Sequence, residues 1–325
     1  MQNAIKKISG GIDWLLVLFI LPIIAAGMVT MKSFVPIEFA SDFSGKQLIW
    51  VVISLTVFAV FSFIDFGFLK RTNVLVFIFL AVSFILLLLP VVGSISNGAR
   101  SWFDFGFFSF QPADMIKLVL VLILAKYFSR RHVEIRDTKH IFISFFYVVI
   151  PLVLVLAQPD FGSAIILFAI WLGMVLVSGI SKTHLFLVFS AGAVIFVLLW
   201  IFAFAPYQKA RITNFINPLA DIHGTGYNAF QSTIAVGSGQ VLGKGLGFGT
   251  QSRLKFLPQP QSDFIFAAFA EEWGFIGSLT VLLLYTLVIW RILYIASLGA
   301  TNFEILFGMG IAIFFMTHIL INVGM

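Results

Sequence analysis

Cysteine is absent from the 325 residues, so the chain has no disulfide framework and no thiolate chemistry. Charge is scarce as well. Asp, Glu, Lys and Arg make up 10% of the sequence, against about 25% in soluble domains. So few charges cannot cover a water-facing surface, which excludes an ordinary soluble enzyme, a disordered chain and a nucleic-acid binder. Acidic residues number 14 against 20 basic ones, for a net charge of +6. In so apolar a chain that excess belongs to cytoplasmic loops rather than to a DNA-binding face. The sequence also lacks an HExxH zinc motif and a Ser nucleophile elbow. It shows no internal repeat of the inverted-transporter kind.

What is present is apolar. Hydrophobic residues make up 60% and the mean hydropathy is +1.07. A bilayer core needs about 20 consecutive apolar residues in a helix. Nine segments qualify, over roughly 14–31, 48–64, 73–92, 113–128, 141–157, 162–179, 184–205, 275–295 and 303–325. Lipid offers no partner for backbone N–H and C=O groups, so each is expected to be a helix. The fold class predicted is an all-α polytopic membrane protein, a single domain over 1–325. The first segment, behind Lys6 and Lys7, reads as a signal anchor because eight more spans follow it.

Orientation follows from the basic residues. With the N-terminus in the cytoplasm, short loops on that side hold ten: Lys6, Lys7, Lys70, Arg71, Arg130, Arg131, Arg136, Lys139, Lys182 and Arg291. Short loops on the other side hold three, Lys32, Lys46 and Arg100. The one long polar stretch, 206–263, then lies outside. Structureless loops beyond about 15 residues are usually functional. The 40 Phe residues are spread through every span and read as lipid-facing and packing groups.

Ionisable residues at membrane depth are costly and suggest function. Asp114 and Lys117 are three apart on one helical face, behind Gln111 and Pro112. They can form a pair that only fixes packing, or line a place for a polar head group entering from the outer face. Asp160, after Gln158 and Pro159, can cap the sixth span. His318 and Asn322, four apart, can hydrogen-bond between helices. Within the long loop stand Arg211, Asn214, Asn217, Pro218 and His223, then Gln231 and Ser232. A glycine run follows: Gly237, Gly239, Gly243, Lys244, Gly245, Gly247 and Gly249. Such a run can hold a phosphate on its N–H groups, or serve as a flexible linker. It matches neither the Walker A nor the Rossmann pattern. Asp263 closes the loop ahead of Phe264-Ile265-Phe266, with Glu271 and Glu272 one to two turns further on. A carboxylate held against apolar residues has a raised pKa and suits a general base.

Taken in order, several short blocks resemble the SEDS family (shape, elongation, division and sporulation), its RodA branch more than its FtsW branch. They are Asn97-Gly98-Ala99-Arg100-Ser101-Trp102, Phe110-Gln111-Pro112 with Lys117, and Gln158-Pro159-Asp160-Phe161-Gly162-Ser163. Next come Asn217-Pro218, Gly226-Tyr227-Asn228, Gln231-Ser232, Gly243-Lys244-Gly245 and Gly249-Thr250-Gln251-Ser252. The last are Leu257-Pro258, Asp263-Phe264-Ile265-Phe266, Glu271-Glu272 and the stretch from His318 to Met325. The sequence departs from the family at three places. Asp114 stands where the family usually has Glu. Gln259-Pro260-Gln261-Ser262 stands where Glu and His often precede the aspartate. The family continues beyond Met325 with a tenth span and a Pro/Gly/Ser-rich motif, so a truncated chain is expected.

The resemblance implies a peptidoglycan glycosyltransferase polymerising lipid II, an undecaprenyl-pyrophosphate disaccharide-peptide, on the outer face of the bacterial cytoplasmic membrane. It also implies a class B penicillin-binding protein as transpeptidase partner within an elongation or division complex. Asp263 falls on the family's essential aspartate, the expected catalytic base. Arg100, Lys117, Arg211 and Lys244 are candidates to receive the diphosphate, with Gln111, Asp114, Asp160, Gln231 and Ser232 in the substrate-binding blocks. The sequence demands no cofactor; a divalent cation is compatible with a diphosphate leaving group. Two other readings use the same residues: a lipid flippase with Asp114 and Lys117 as its polar path, and a scaffold that only activates a penicillin-binding protein.

Overall fold

The computed structural model describes residues 11–34, 40–96, 99–106, 108–130, 138–202, 204, 206–216, 224, 226–254, 256–257 and 259–324. Lys6, Lys7, Asn97, Gly98, Arg131, Arg136, Asn217, Pro218, His223, Pro258 and Met325, used above, lie outside them. Among the described residues the nine apolar segments are all helical. They correspond to α1 (Trp14–Phe34), α2 (Ala40–Ser62), α3 (Thr72–Val92), α4 (Pro112–Ser129), α5 (Thr138–Leu156), α6 (Phe161–Val177), α7 (Lys182–Phe202), α11 (Ile265–Ser297) and α12 (Asn302–Gly324). Seven of them, all except α4 and α6, are long and apolar enough to cross a membrane. The α6 helix has 17 residues, and α4 carries Asp114, Lys117 and Lys126.

Two stretches differ from the expectation. The polar region 206–263 contains α8 (Pro206–Ile216), α9 (Tyr227–Ser238) and the single turn α10 (Thr250–Arg253). Between α3 and α4 the chain forms a three-stranded antiparallel sheet, β1 (Ser94–Ser96), β2 (Ala99–Asp104) and β3 (Ser109–Phe110). Phe103 faces Phe110 across β2 and β3. The connecting turn places Gly106 at φ 85°, where its N–H donates to the Asp104 carboxylate at 2.9 Å. Short strands beside two apolar spans escape a hydropathy reading because their own apolar content is small.

The chain divides into two compact units. One comprises Met1–Ile64, Val194–Arg291 and Ile319–Met325; the other comprises Asp65–Ala193 and Ile292–His318. The second unit has a packed helical core. Leu75, Leu86 and Leu89 of α3, Ile116, Leu120 and Leu124 of α4, and Leu167, Ile170 and Met174 of α6 are all fully buried. The four-residue spacing on α4 makes one face of that helix the seam. Glycine brings α12 close: a Cβ on Gly310 would stand 2.5 Å from Val121, so only hydrogen fits. Phe77 and Phe186 remain 71% and 75% exposed, as lipid-facing side chains should be.

In the first unit, two adjacent buried carboxylates organise the chain. Glu271 is 0% and Glu272 2% exposed. The glycine-rich segment 239–252 wraps around them. Lys244 Nζ pairs with Glu271 Oε1 at 2.9 Å, which also accepts from Thr250 Oγ1 and the Gln251 N–H. Glu271 Oε2 accepts from the N–H and hydroxyl of Ser252. Glu272 Oε1 accepts from the Gly247 N–H at 2.9 Å and from Ser33 Oγ of α1 at 2.6 Å. The glycines permit this approach. Gly243 has φ 82°, and a Cβ there would overlap the Glu272 carbonyl oxygen. Gly274, at φ 68° and ψ −165°, breaks α11 into two helical halves. The freed N–H groups of Phe275 and Ile276 donate to the carbonyls of Gln240 and Val241.

Long-range pairs inside each unit agree with a path that alternates across a bilayer. In the first unit, Arg291 near the end of α11 holds Asp13, at the start of α1, at 2.7 Å. In the second, Lys70 pairs with Glu304 near the start of α12 at 2.6 Å, and Tyr127 bonds His140 at 2.8 Å. An odd number of crossings separates none of these partners.

Gly243→Ala is expected to destabilise the protein by about 1–3 kcal/mol from its positive φ alone, with the overlap adding to that. Gly27 on α1 has open space around its Cα, so Gly27→Ala is expected to leave the melting temperature of the detergent-solubilised protein nearly unchanged. Burial raises the Asp13 carboxyl, but hydrogen bonds from Arg291 and the Leu16 N–H outweigh it and hold it below the ordinary carboxylate value. Its stabilising contribution is therefore present above about pH 4 and lost as pH falls through the lower folded-state value. Asp13→Asn should remove that part of the acid-side loss in thermal melts.

Candidate functional site

Asp263 lies in the turn that leads into α11. The turn is sharp: Gln259 adopts φ 43°, and the Ser262 N–H donates to the Gln259 carbonyl at 3.2 Å. Phe264 turns inward, 8% exposed, into a small core with Ala235, Leu257, Ala267 and Ala268. Asp263 faces out. The expectation of a carboxylate held against apolar residues therefore fails, because the turn buries the neighbour instead. Among the described residues the Asp263 carboxylate has no hydrogen-bond or ion-pair partner. It is an acceptor available to a ligand.

The turn is tied from the other side by a residue expected only to glue helices. Asn322, near the end of α12, donates its side-chain N–H groups to the carbonyls of Asp263 at 3.2 Å and Ser262 at 3.4 Å. Two carbonyl acceptors fix which end of the amide faces the turn. Beside this tether is a groove of about 360 Å³, lined by Ser232, Thr233, Val236 and Gly237 of α9, Phe264, Phe266 and Ala267, and Asn322, Val323 and Gly324. That volume falls within the roughly 300–1,000 Å³ typical of small-ligand pockets. Its lining combines phenyl rings with an amide and two hydroxyls. The signal available in the sequence was an Asn four residues beyond a His on an otherwise apolar helix.

The other expected residues of the first unit are placed as follows. Ser232 lines the groove, and its hydroxyl donates to the Ala229 carbonyl at 2.9 Å. The neighbouring Gln231 has a buried Oε1 with no protein partner among the described residues. Lys244 is engaged by Glu271, and the glycine run spends N–H groups on Glu271 and Glu272 rather than presenting them to a phosphate. Arg211 lies on α8, and its side chain is outside the described set.

The second unit gathers four of the expected residues near the first turns of α4 and α6. Gln111 occupies the N-cap of α4, with Pro112 at the first helical position. Its Nε2 donates to Asp160 Oδ2 at 3.0 Å. Asp160 caps α6 through Oδ1, accepting from the Ser163 N–H at 3.0 Å. One turn into α4, Lys117 Nζ is 2.8 Å from Asp114 Oδ1; the lysine is 4% and the aspartate 61% exposed. Asp114 thus presents its carboxylate at the helix end. Arg100, on β2, donates to the Pro90 carbonyl at 3.0 Å and is exposed. Gln158, 1% exposed, donates to the Leu86 carbonyl and anchors the turn before Asp160. Among the described residues no group of three or more His, Asp or Glu side chains is arranged to hold a metal ion.

Known proteins resemble this chain along most of its length. A family model described as "Cell cycle protein", spanning FtsW, RodA and SpoVE, matches residues 13–325. The chain is 36% identical over 249 residues to the peptidoglycan glycosyltransferase MrdB of Escherichia coli strain K12, covering 77% of this chain and 67% of that protein. It is 34% identical over 322 residues to stage V sporulation protein E of Bacillus subtilis strain 168, covering 96% and 86%. Among solved structures, one chain of a peptidoglycan synthase complex, studied for the coordination of polymerization and crosslinking, superposes with a TM-score of 0.80. That chain is 27% identical, with 96% of this chain and 86% of that one covered. The rod shape determining protein RodA of Thermus thermophilus gives a TM-score of 0.69 at 25% identity, covering 98% and 86%.

Asn322→Leu removes the tether without adding bulk. It should loosen the Asp263 turn by about 1–2 kcal/mol. Hydrogen exchange is then faster at the amides of 259–264 and unchanged in the core of α4. Unchanged protection in the turn contradicts the assignment.

Proposed function

The chain belongs to the FtsW/RodA/SpoVE family of cell cycle proteins, and on that footing we propose that it is a multi-pass membrane peptidoglycan glycosyltransferase serving cell shape. The observation that carries the reading is the exposed, unpartnered carboxylate of Asp263, next in the chain to the groove-lining Phe264, in a chain 36% identical to a peptidoglycan glycosyltransferase. The substrate proposed is lipid II, presented on the outer face of the cytoplasmic membrane. The path has nine spans with the N-terminus inside, and 206–263 is extracytoplasmic. A lipid-linked substrate can enter sideways between helices, so neither sugar nor diphosphate has to cross the bilayer.

In the proposed reaction Asp263 accepts the proton of the acceptor sugar's 4-hydroxyl. The oxygen attacks the anomeric carbon of the donor from the face opposite the leaving group. The bond from that carbon to the diphosphate oxygen breaks, its electron pair leaves with undecaprenyl diphosphate, and the configuration inverts. The diphosphate is a good leaving group already, so the need is for positive charge rather than a strong acid. Lys244 is committed to Glu271 and Lys117 to Asp114, which leaves Arg211 as the first-unit candidate for that charge. In the second unit, taken by itself, Gln111, Asp114 and Asp160 are proposed as polar groups that bind a lipid-linked headgroup. A class B penicillin-binding protein is the proposed crosslinking partner, in keeping with the synthase complex that the fold resembles.

A positioned base contributes about 10²–10⁴-fold to rate. Asp263→Asn keeps the shape and removes the basic oxygen. With purified protein and labelled lipid II it is expected to lower glycan polymerisation by that factor while the melting temperature holds. Polymer at the unmodified rate would exclude the base role.

A further inference from the structure

The glycine-rich segment 239–252 turns a row of large apolar side chains away from the protein. Val241, Leu242, Leu246 and Phe248 are all exposed, Leu242 at 79% and Phe248 at 70%. The one charged residue of the segment, Lys244, is spent on Glu271. Apolar side chains clustered on so short a segment mark a contact surface.

The row continues onto a helix. The N–H groups of Phe275 and Ile276 donate to the carbonyls of Gln240 and Val241 at 2.9 and 3.2 Å, so the segment lies beside the first turn of the longer half of α11. Phe275, Ile276, Leu279 and Leu283 in that half are exposed too. Two helices of the same compact unit fix the depth. The Arg291–Asp13 pair ties α11 to the start of α1. At the other end Trp273 Nε1 donates to Thr30 Oγ1 at 3.1 Å, and Ser33 Oγ to Glu272 Oε1 at 2.6 Å. At about 1.5 Å per residue, Phe275 stands about 24 Å from Arg291, and Ser33 about 30 Å from Asp13. A hydrocarbon core is about 30 Å thick. With the charged pair at one boundary, Ser33 and Glu272 reach the other, and the Gln240 and Val241 carbonyls lie about 6 Å inside it. Tilting the helices only deepens them.

Non-helical backbone is tolerated at that depth only where the protein itself serves it. The segment meets this condition. The N–H groups of Lys244 and Gly245 donate to the carbonyls of Glu271 and Glu272, and those of Gly247, Gln251 and Ser252 to the two carboxylates. The N–H groups of Gly243 and Phe248 close turns on the carbonyls of Gly239 and Gly245. Burying two acids is a costly way to hold a loop that water could solvate, and a fitting one where water is absent.

We propose that residues 241–248 are embedded in the bilayer, with Val241, Leu242, Leu246 and Phe248 packed among the upper acyl chains of one leaflet. The insertion is about as deep as that of interfacial amphipathic segments, roughly 5–10 Å. The inference depends neither on the glycosyltransferase reading nor on which face of the membrane is outside.

The chain has no cysteine, so a single introduced thiol reports alone. Leu242→Cys and Phe248→Cys are labelled with bimane in the full chain and reconstituted into phosphatidylcholine nanodiscs. Arg130→Cys, exposed just past α4, is the water reference. The quenchers are iodide in the water and a nitroxide placed high or low on the lipid acyl chain. Both loop positions are expected to be quenched about twofold more by the high nitroxide than by the low one, and about fivefold less by iodide than the reference. Iodide quenching equal to the reference overturns the proposal, because the segment is then a loop in water. Shielding from both iodide and nitroxide overturns the lipid assignment, because protein would then cover the row. If neither variant folds, the unmodified chain is irradiated in the same nanodiscs with a phosphatidylcholine bearing an acyl-chain diazirine. Adducts are expected on the peptide 239–249, and their confinement to the long helices overturns the proposal.

Discussion

Two adjacent carboxylates without access to water are the constraint on which the first unit depends. An uncompensated buried charge costs several kcal/mol, so Glu271 can be buried only if every oxygen is served. The chain meets that demand locally, with one ammonium, two hydroxyls and two backbone N–H groups from residues 244–252. Glycine is required because the backbone itself must reach the acids. Once the segment is wrapped, the first half of α11 is fixed and the Asp263 turn at its start is fixed with it. The catalytic proposal rests on this scaffold more than on the groove, since a base displaced by an ångström loses much of its effect.

The membrane supplies the second constraint. In the second unit the ion pairs and caps lie at helix ends, and the middles pack through leucine, isoleucine and glycine, with the buried Trp171–Ser144 hydrogen bond between α5 and α6 an uncharged exception. Gln111, Asp160 and Asp114 lie within a turn of helix starts, where a headgroup can meet them. A charged path through the bilayer would instead need ionisable groups at mid-helix. This distribution favours surface chemistry on a lipid-linked substrate over passage of that substrate through the protein.

Much of the fold was legible in the sequence because lipid punishes unsatisfied backbone so heavily. Nine apolar runs could only be helices, and among the described residues each is one, although α2 and α11 begin well ahead of the expected starts at 48 and 275. The strands at 94–110 and the helices inside 206–263 were not legible. They are short, amphipathic at best, and stabilised by tertiary contacts that hydropathy does not record. Asp263 stood out because it ends a polar stretch against Phe264-Ile265-Phe266, yet the same pattern suggested burial that the turn does not provide. The glycine run looked like a phosphate cradle because spacing cannot tell an external anion from the protein's own Glu271 and Glu272. Asn322 looked like interhelical glue, since nothing in one dimension reveals that residue 263 comes to lie beside it.

Gly274 makes the 33 residues of α11 two rods that meet at one residue of positive φ. The longer one starts at Phe275, and the loop carbonyls of Gln240 and Val241 close its first turn. The loop packs directly on the glycine, too close for a Cβ, so the break between the rods is filled by backbone. The short rod is moored to the same loop through Glu271 and Glu272, so one segment sets the angle between the rods and, with it, the aim of the Asp263 turn.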